Sequence, residues 1–236
     1  MLSISKDKID SLFELIGSSQ PLYLPVDNET GKADFKLWEK GTKLSETLKT
    51  VRSAKDFFLP KAEHMVSYER NGMEVKVTDP RKDVEDFVVF GVRACDAASF
   101  GLIDEVYLNM NPVDTYYKNR RDHGTIVTLA CNEPVKTCFC KAYSIDAANP
   151  KGDVSAWLSD GKYYFEAVTE KGKAFVEKAK SVLSDADSKA VESTKKEIAD
   201  KIAKLPFANI DLSKIAKMDM LKMFNSKVWE GVSETC

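Results

Sequence analysis

Apolar residues in the central part of the chain form segments of two kinds. DFVVFGVR (86–93) and GTIVTLAC (124–131) are continuous apolar runs rich in valine, which is typical of strands buried on both faces of a parallel sheet. Between them, DAASFGLIDEVYLN repeats apolar residues at helical spacing, with Phe100, Ile103 and Val106 on one stripe. A strand, a helix and a second strand predict a βαβ unit whose strands are parallel and whose crossover is right-handed.

Weaker patterns predict the rest of the fold. Helices are predicted at 5–16, 43–58 and 170–183, a short helix and turn at 153–161, extended segments at 21–26 and 162–169, and a hairpin at 64–79 around Asn71-Gly72. From residue 184 onward the chain is rich in lysine and alanine and has long helical patterns. The predicted fold class is α/β, with α+β as the alternative. It comprises a small mixed sheet with a central parallel βαβ unit, an α/β domain over 1–183 and a helical extension over 184–236.

Composition narrows the classes of function. With 236 residues, 43% of them hydrophobic, the chain can bury a sizeable core. Its 35 basic and 37 acidic side chains nearly cancel, which gives no broad attraction to nucleic acid or anionic lipid. No stretch approaches the roughly 20 apolar residues of a membrane span, and the first residues do not resemble a signal peptide. We therefore expect a cytoplasmic protein without nucleic-acid binding or membrane insertion, whose cysteines serve as metal ligands or redox groups rather than in structural disulfides.

Four cysteines follow the two apolar runs. Cys95 comes directly after the first run, Cys131 ends the second, and Cys138 and Cys140 lie within the next nine residues. Because the carboxyl ends of parallel strands meet at one edge of a sheet, Cys95 and Cys131 are predicted to converge there. The loop CNEPVKTCFC can fold the other two thiols back toward them, so that four sulfurs surround one point.

Three chemistries are compatible with such a quartet. A 4Fe-4S cluster suits four thiolates, and its negative charge would be offset by Arg93 and by free N–H groups at a helix start near Cys95. A structural zinc site uses the same ligands but is usually built from C-x₂₋₄-C pairs, whereas the spacings here are C-x₆-C and C-x-C. Buried or redox-active free thiols are the third alternative.

Asp96 is predicted to cap the helix. Two histidines and the lack of a nucleotide-binding motif give no support to other catalytic sites.

The sequence around these cysteines resembles a known family. FGVRACDAASFGLIDEVYL and DTYYKNRRDHGTIVTLACNEPVKTCFC are similar to the iron-sulfur subunits exemplified by the A subunit of anaerobic sulfite reductase and the beta subunit of archaeal sulfhydrogenase. The family's usual sequence is Gly-Val-Arg-Pro-Cys-Asp, then Ala-Cys-x-Glu-Pro and Cys-Phe-Cys, from which this chain departs at Ala94. The resemblance extends over most of the length, including RSAKDFFLP and the final VWEGVSETC.

The resemblance implies a subunit without catalysis of its own, in an oxidoreductase complex of anaerobic metabolism. Such a subunit relays electrons between a flavin-containing partner that oxidises NAD(P)H and a hydrogenase or reductase partner. One 4Fe-4S cluster would be held by Cys95, Cys131, Cys138 and Cys140. In the family, the segment matching VWEGVSETC leads into a ferredoxin-type module with two clusters. The helical extension is therefore expected to lead toward that absent module. Cys236 resembles the first ligand of a missing cluster, but by itself it completes no ligand set, and in this chain it is expected to be an exposed terminal thiol. Met220, Phe224 and Trp229 are candidates for docking a partner subunit.

Overall fold

A computed structural model describes residues 1–47 and 49–235, so that Leu48 and the predicted cluster ligand Cys236 lie outside the described residues. The strands are β1 (Leu2–Ser5), β2 (Leu22–Asp27), β3 (Ala33–Leu37), β4 (Ser67–Asn71), β5 (Glu74–Thr78), β6 (Phe87–Arg93), β7 (Gly124–Leu129), β8 (Val154–Ser159), β9 (Lys162–Ala167) and β10 (Ser184–Asp185). The helices are α1 (Ile9–Gly17), α2 (Ala94–Tyr107), α3 (Thr115–His123), α4 (Glu170–Ala179), α5 (Glu192–Ala203), α6 (Leu212–Ala216), α7 (Met220–Phe224) and α8 (Val228–Ser233).

The central sheet is mixed, which confirms the predicted fold class. Within the described residues, its strands run in the order β10, β1, β9, β8, β7, β6, β2, β3. The pairs β2–β6, β6–β7 and β7–β8 are parallel, and the outer pairs are antiparallel. The predicted βαβ unit is β6, α2 and β7, with the additional helix α3 in the same connection. The sheet therefore delivers the ends of β6 and β7 to a common edge.

Helices cover both faces of this sheet. Val88 and Phe90 of β6 belong to an apolar cluster with residues of α1 and α4. The alternate residues Val89 and Val92 belong to a cluster on the other side with Phe100 of α2. Strands buried on two faces have no polar face, which explains the continuous apolar runs of the sequence.

A bulge in β6 lies just before the site. The register between β6 and β7 shifts between Phe90 and Val92, and the intervening Gly91 has a φ of +81°. Glycine adopts this left-handed conformation without the clash that a Cβ would cause. A bulge changes the direction of its strand, and this one is followed within two residues by Arg93 and the start of α2.

Two predicted helices are wrong. The described residues of 43–58 form a 3₁₀ turn, Ala54–Phe57, and an isolated bridge between Thr50 and Ala33. Backbone donors of this segment bind the sheet instead of forming a helix: Ser45 N donates to Pro25 O and Val51 N to Ala33 O. Leu48, which this prediction includes, is not among the described residues. Within 153–161, Val154–Ser159 form the strand β8, which lies between β7 and β9 and is almost wholly buried, and the predicted turn follows at 160–161. Its apolar spacing fits a helix, but a six-residue run buried on both faces is a strand.

The remaining predictions agree with the structure. The first helix begins with a 3₁₀ turn at Lys6–Lys8 and continues as α1, while 21–26, 162–169 and 170–183 correspond to β2, β9 and α4. The hairpin is β4–β5, with Gly72 and Met73 between the paired residues Asn71 and Glu74. After residue 184 the chain is mostly helical, as predicted, and β10 adds a short edge strand. None of the helices in the described residues is both long and apolar enough to span a bilayer.

Candidate functional site

The four cysteines lie together at the carboxyl ends of β6 and β7. Cys95 is the second residue of α2, immediately after β6, and Cys131 follows β7 by two residues. Cys138 and Cys140 come from the following loop, where Cys140 begins a 3₁₀ turn. All four are free thiols that line one cavity of about 430 Å³.

Backbone N–H groups point at three of the sulfurs. Val135 N donates to Cys138 Sγ at 3.2 Å. The amide of Asp96 donates to the sulfur of Cys95, and that of Glu133 donates to the sulfur of Cys131. Hydrogen bonds to a charged acceptor favour the charged form, so the amides of Asp96 and Glu133 lower the pKa of Cys95 and Cys131 respectively and oppose the effect of burial.

The protonation of the cysteines is coupled. The Cys140 thiol donates a hydrogen bond to the sulfur of Cys95, which lowers the pKa of Cys95 and raises the pKa of Cys140. Burial raises the pKa of Cys131, and the nearby Cys138 raises it further. Closely spaced thiols cannot all ionise without an added positive charge, which is what a metal centre supplies.

Arg93 is a cation two residues before Cys95. Its guanidinium lies 3.3 Å from the carboxylate of Asp96. Its Nε is buried and has no hydrogen-bond partner within the described part of the chain. Arg93 lines the cavity, so a positive charge lies beside any anionic group there.

Asp96 does not cap α2, so that prediction is wrong. Arg93 is the N-cap residue, and Asp96 lies in the first turn, where its carboxylate accepts a hydrogen bond from Ser53 Oγ at 3.0 Å. Lys55 Nζ lies 3.9 Å from the same carboxylate. Ser53 and Lys55 are about forty positions away in sequence, so no local pattern could have identified them as neighbours of the site.

A loop after the cysteines supports Cys131 from the other side. Cys131 N donates to Ala147 O at 3.1 Å, and Trp157 Nε1 donates to Ala148 O at 2.7 Å. The Asp146 carboxylate accepts hydrogen bonds from the amides of Ala148 and Asn149. Burial raises the pKa of Asp146, but these bonds and one from the Asn149 side chain outweigh it and lower the pKa overall. The sequence analysis missed this loop, although Asp146 followed by Asn149 is a turn signal.

The wall opposite the cysteines is formed by the start of the chain and the segment from Lys43 to Thr47. Lys6 Nζ lies 2.9 Å from Glu46 Oε1, and the buried Ser45 donates from Oγ to Asp27 at 2.6 Å. Leu44 and Tyr163 also line the cavity. These contacts hold an irregular segment along the cavity that the cysteines also line.

The donor set fits a soft metal centre. Among the described residues, no three His, Cys, Asp or Glu side chains form a group that could hold a single metal ion as they stand. The cavity is nevertheless lined by four thiols, by amides directed at three of them and by Arg93. Four thiolates with a cation and amide donors nearby suit an anionic iron-sulfur cluster, and a cavity of about 430 Å³ has room for a body larger than one ion.

These features define an α/β protein with a four-thiol cavity at the carboxyl edge of its sheet. The chain belongs to the sulfhydrogenase beta-subunit family, as its sequence predicts. It is 33% identical over 190 residues to sulfhydrogenase 2 subunit beta of Pyrococcus furiosus, a match that covers 80% of this chain and 54% of that protein. The chain thus spans about half the length of this relative. No family model matches it.

Proposed function

We propose that this chain is an electron-transfer subunit of a multi-subunit oxidoreductase of the hydrogenase or sulfite or sulfur reductase type. In this proposal Cys95, Cys131, Cys138 and Cys140 hold one 4Fe-4S cluster. The name of the relative, a subunit of a sulfhydrogenase, supports the oxidoreductase class and a role in anaerobic metabolism. The chain itself is proposed to have no catalytic residues.

The observation that carries the proposal is that four thiols from two strand ends and one loop line a single cavity. Amide donors to three of the sulfurs and the positive charge of Arg93 in the cavity wall support an anionic occupant. A bound 4Fe-4S cluster supplies reversible one-electron redox chemistry. The amides and Arg93 stabilise negative charge, and in this proposal the segment from Lys43 to Thr47 that lines the cavity reduces solvation of the cluster. All three factors tune a reduction potential.

The proposed partners are a flavin-containing subunit that oxidises NAD(P)H and a hydrogenase or reductase subunit. The surface that could dock one of them lies near the end of the chain. Met220 is 76% exposed, Phe224 79% and Trp229 54%. Large apolar side chains grouped on successive short helices are typical of interaction surfaces.

Metal analysis of protein purified without oxygen tests the proposal. We expect a brown protein with about four iron and four acid-labile sulfide per chain, absorbing broadly near about 400 nm. Cys95→Ser and Cys131→Ser should each lose most of the iron, whereas the matched variant Cys236→Ser should keep it.

Two results would contradict the cluster. A colourless protein with one zinc per chain would indicate a Cys₄ zinc-stabilised interaction module without a redox role. Metal-free protein with dithiol turnover that is lost in Cys138→Ser or Cys140→Ser would indicate a thiol reductase.

A further inference from the structure

One wall of the cysteine site comes from the chain after residue 184. Ile198 and Ile202 of α5 are 1% and 6% exposed, and they belong to the same apolar cluster as the four cysteines. Leu205, just after α5, packs against this cluster as well. The segment that follows the helix therefore lies beside the loop that carries Cys138 and Cys140.

An aromatic stack joins these two segments. Phe139, the residue between Cys138 and Cys140, packs its ring on that of Phe207 with centroids 4.6 Å apart and planes 5° from parallel. The next residue, Ala208, is 7% exposed, so the backbone that carries Phe207 is anchored in the protein. Phe139 itself is 44% exposed, and the Phe207 ring covers one face of its ring.

The same helix also holds the beginning of the loop. Lys201 Nζ donates to the carbonyl of Asn132, the neighbour of Cys131, at 3.1 Å. Asn132 in turn donates from Nδ2 to Leu158 O at 3.1 Å. The loop is thus attached at Asn132 by α5 and at Phe139 by the segment after it.

We infer that Phe207 is a positioning residue for the thiols of Cys138 and Cys140. Residues 132–137 form neither a helix nor a strand, and the bonds between Val135 and Cys138 are confined to one turn, so the position of the loop also depends on contacts from outside it. The stack fixes Phe139, and the peptide units on either side of Phe139 carry both cysteines. Aromatic stacking contributes specific geometry in addition to buried area. This inference rests on the proposed function, because it assigns Cys138 and Cys140 as ligands.

The first test measures how fast the holoprotein loses iron to a chelator. Phe207→Ala should lose iron about tenfold faster than the wild type, since residues that orient ligands typically change metal affinity by that factor or more. Phe207→Tyr should stay within about twofold, because it keeps the ring. Phe207→Leu keeps apolar bulk without a planar ring and should resemble Phe207→Ala. The low-temperature electron spin resonance signal of the reduced protein should broaden in both variants that lack the ring.

Phe57→Ala is the matched control. Phe57 is a partly buried ring that packs on Tyr23, with centroids 4.3 Å apart, in a different apolar cluster. Its loss should lower stability without changing the rate of iron release. Equal rates for Phe207→Ala, Phe207→Leu and the wild type would overturn the inference, as would an equal acceleration by Phe57→Ala.

A second measurement separates this inference from the proposed function. In metal-free protein, iodoacetamide labelling followed by mass spectrometry gives the reaction rates of Cys138 and Cys140 relative to Cys95. Phe207→Ala should raise these relative rates about tenfold, whereas unchanged rates would overturn the positioning role. Wild-type protein without iron would defeat the cluster proposal, and the labelling rates would still decide whether Phe207 holds the loop.

Discussion

Arg93 connects the sheet, a helix and the cysteine cavity. It is the last residue of β6 and the N-cap of α2, and its guanidinium contacts Asp96. Asp96 in turn binds Ser53, so the charged group is held in place by a segment distant in sequence. A positive charge held beside four thiols favours the state of the site that carries more negative charge.

We predict that Arg93→Gln lowers the reduction potential of the cluster by on the order of 50 mV. One unit charge at about 10 Å and an effective dielectric constant near 20 contributes about 1.5 kcal/mol, which is the size of such a shift for a one-electron couple. Loss of the cation disfavours the added electron, so the potential falls.

A redox titration followed by electron spin resonance measures the shift. Arg93→Lys should keep most of the potential. Arg120→Gln, which removes a cation paired with Glu63, should not change it. No shift in Arg93→Gln would show that its charge does not act on the site.

At the scale of elements, burial on both faces of the sheet revealed some strands in the sequence and concealed another. The strands β6 and β7 were evident because both faces are buried, and their parallel pairing then brought Cys95 and Cys131 to one edge. The same burial on two faces hid β8, whose residues fit a helical stripe equally well. The segment 43–58 has an amphipathic pattern, but its amides bind the backbones of Pro25 and Ala33. These contacts between distant segments leave no periodic signal in the sequence.

The packing of α4 on the sheet gives a prediction with an internal control. A Cβ added to Gly172 in the first turn of α4 would lie 1.8 Å from Asp153 O. Gly172→Ala should therefore separate helix and sheet and lower the free energy of unfolding by about 2 kcal/mol or more.

Gly101 lies on the exposed side of α2, and a Cβ there meets no heavy atom within 4 Å in the described part of the chain, apart from the local backbone. Gly101→Ala should raise stability by about 0.5–1 kcal/mol. Urea unfolding measures both, and a tolerated Gly172→Ala would contradict this close approach.

At the scale of the whole molecule, the chain after residue 184 falls into two parts. The change to a lysine- and alanine-rich composition suggested a boundary at 184. In the structure, β10 pairs with β1, and α5 buries Ile198 and Ile202 beside the cysteines. The helices α6, α7 and α8 have five or six residues each and carry the exposed apolar side chains. Composition does not reveal this division, since the division depends on which helices pack against the core.

We therefore propose that the compact unit extends to about residue 208, and limited proteolysis of the full chain tests this boundary. Helices of five or six residues are marginal without packing partners, so the last segment should open most readily. Trypsin should cut after Lys214, Lys217, Lys222 or Lys227 before it cuts anywhere between 184 and 204, as judged by mass spectrometry. The large fragment should keep its iron, because it contains all four cysteines of the cavity together with Phe207. Earlier cleavage between 184 and 204, or loss of iron with the terminal fragment, would place the boundary at the composition change instead.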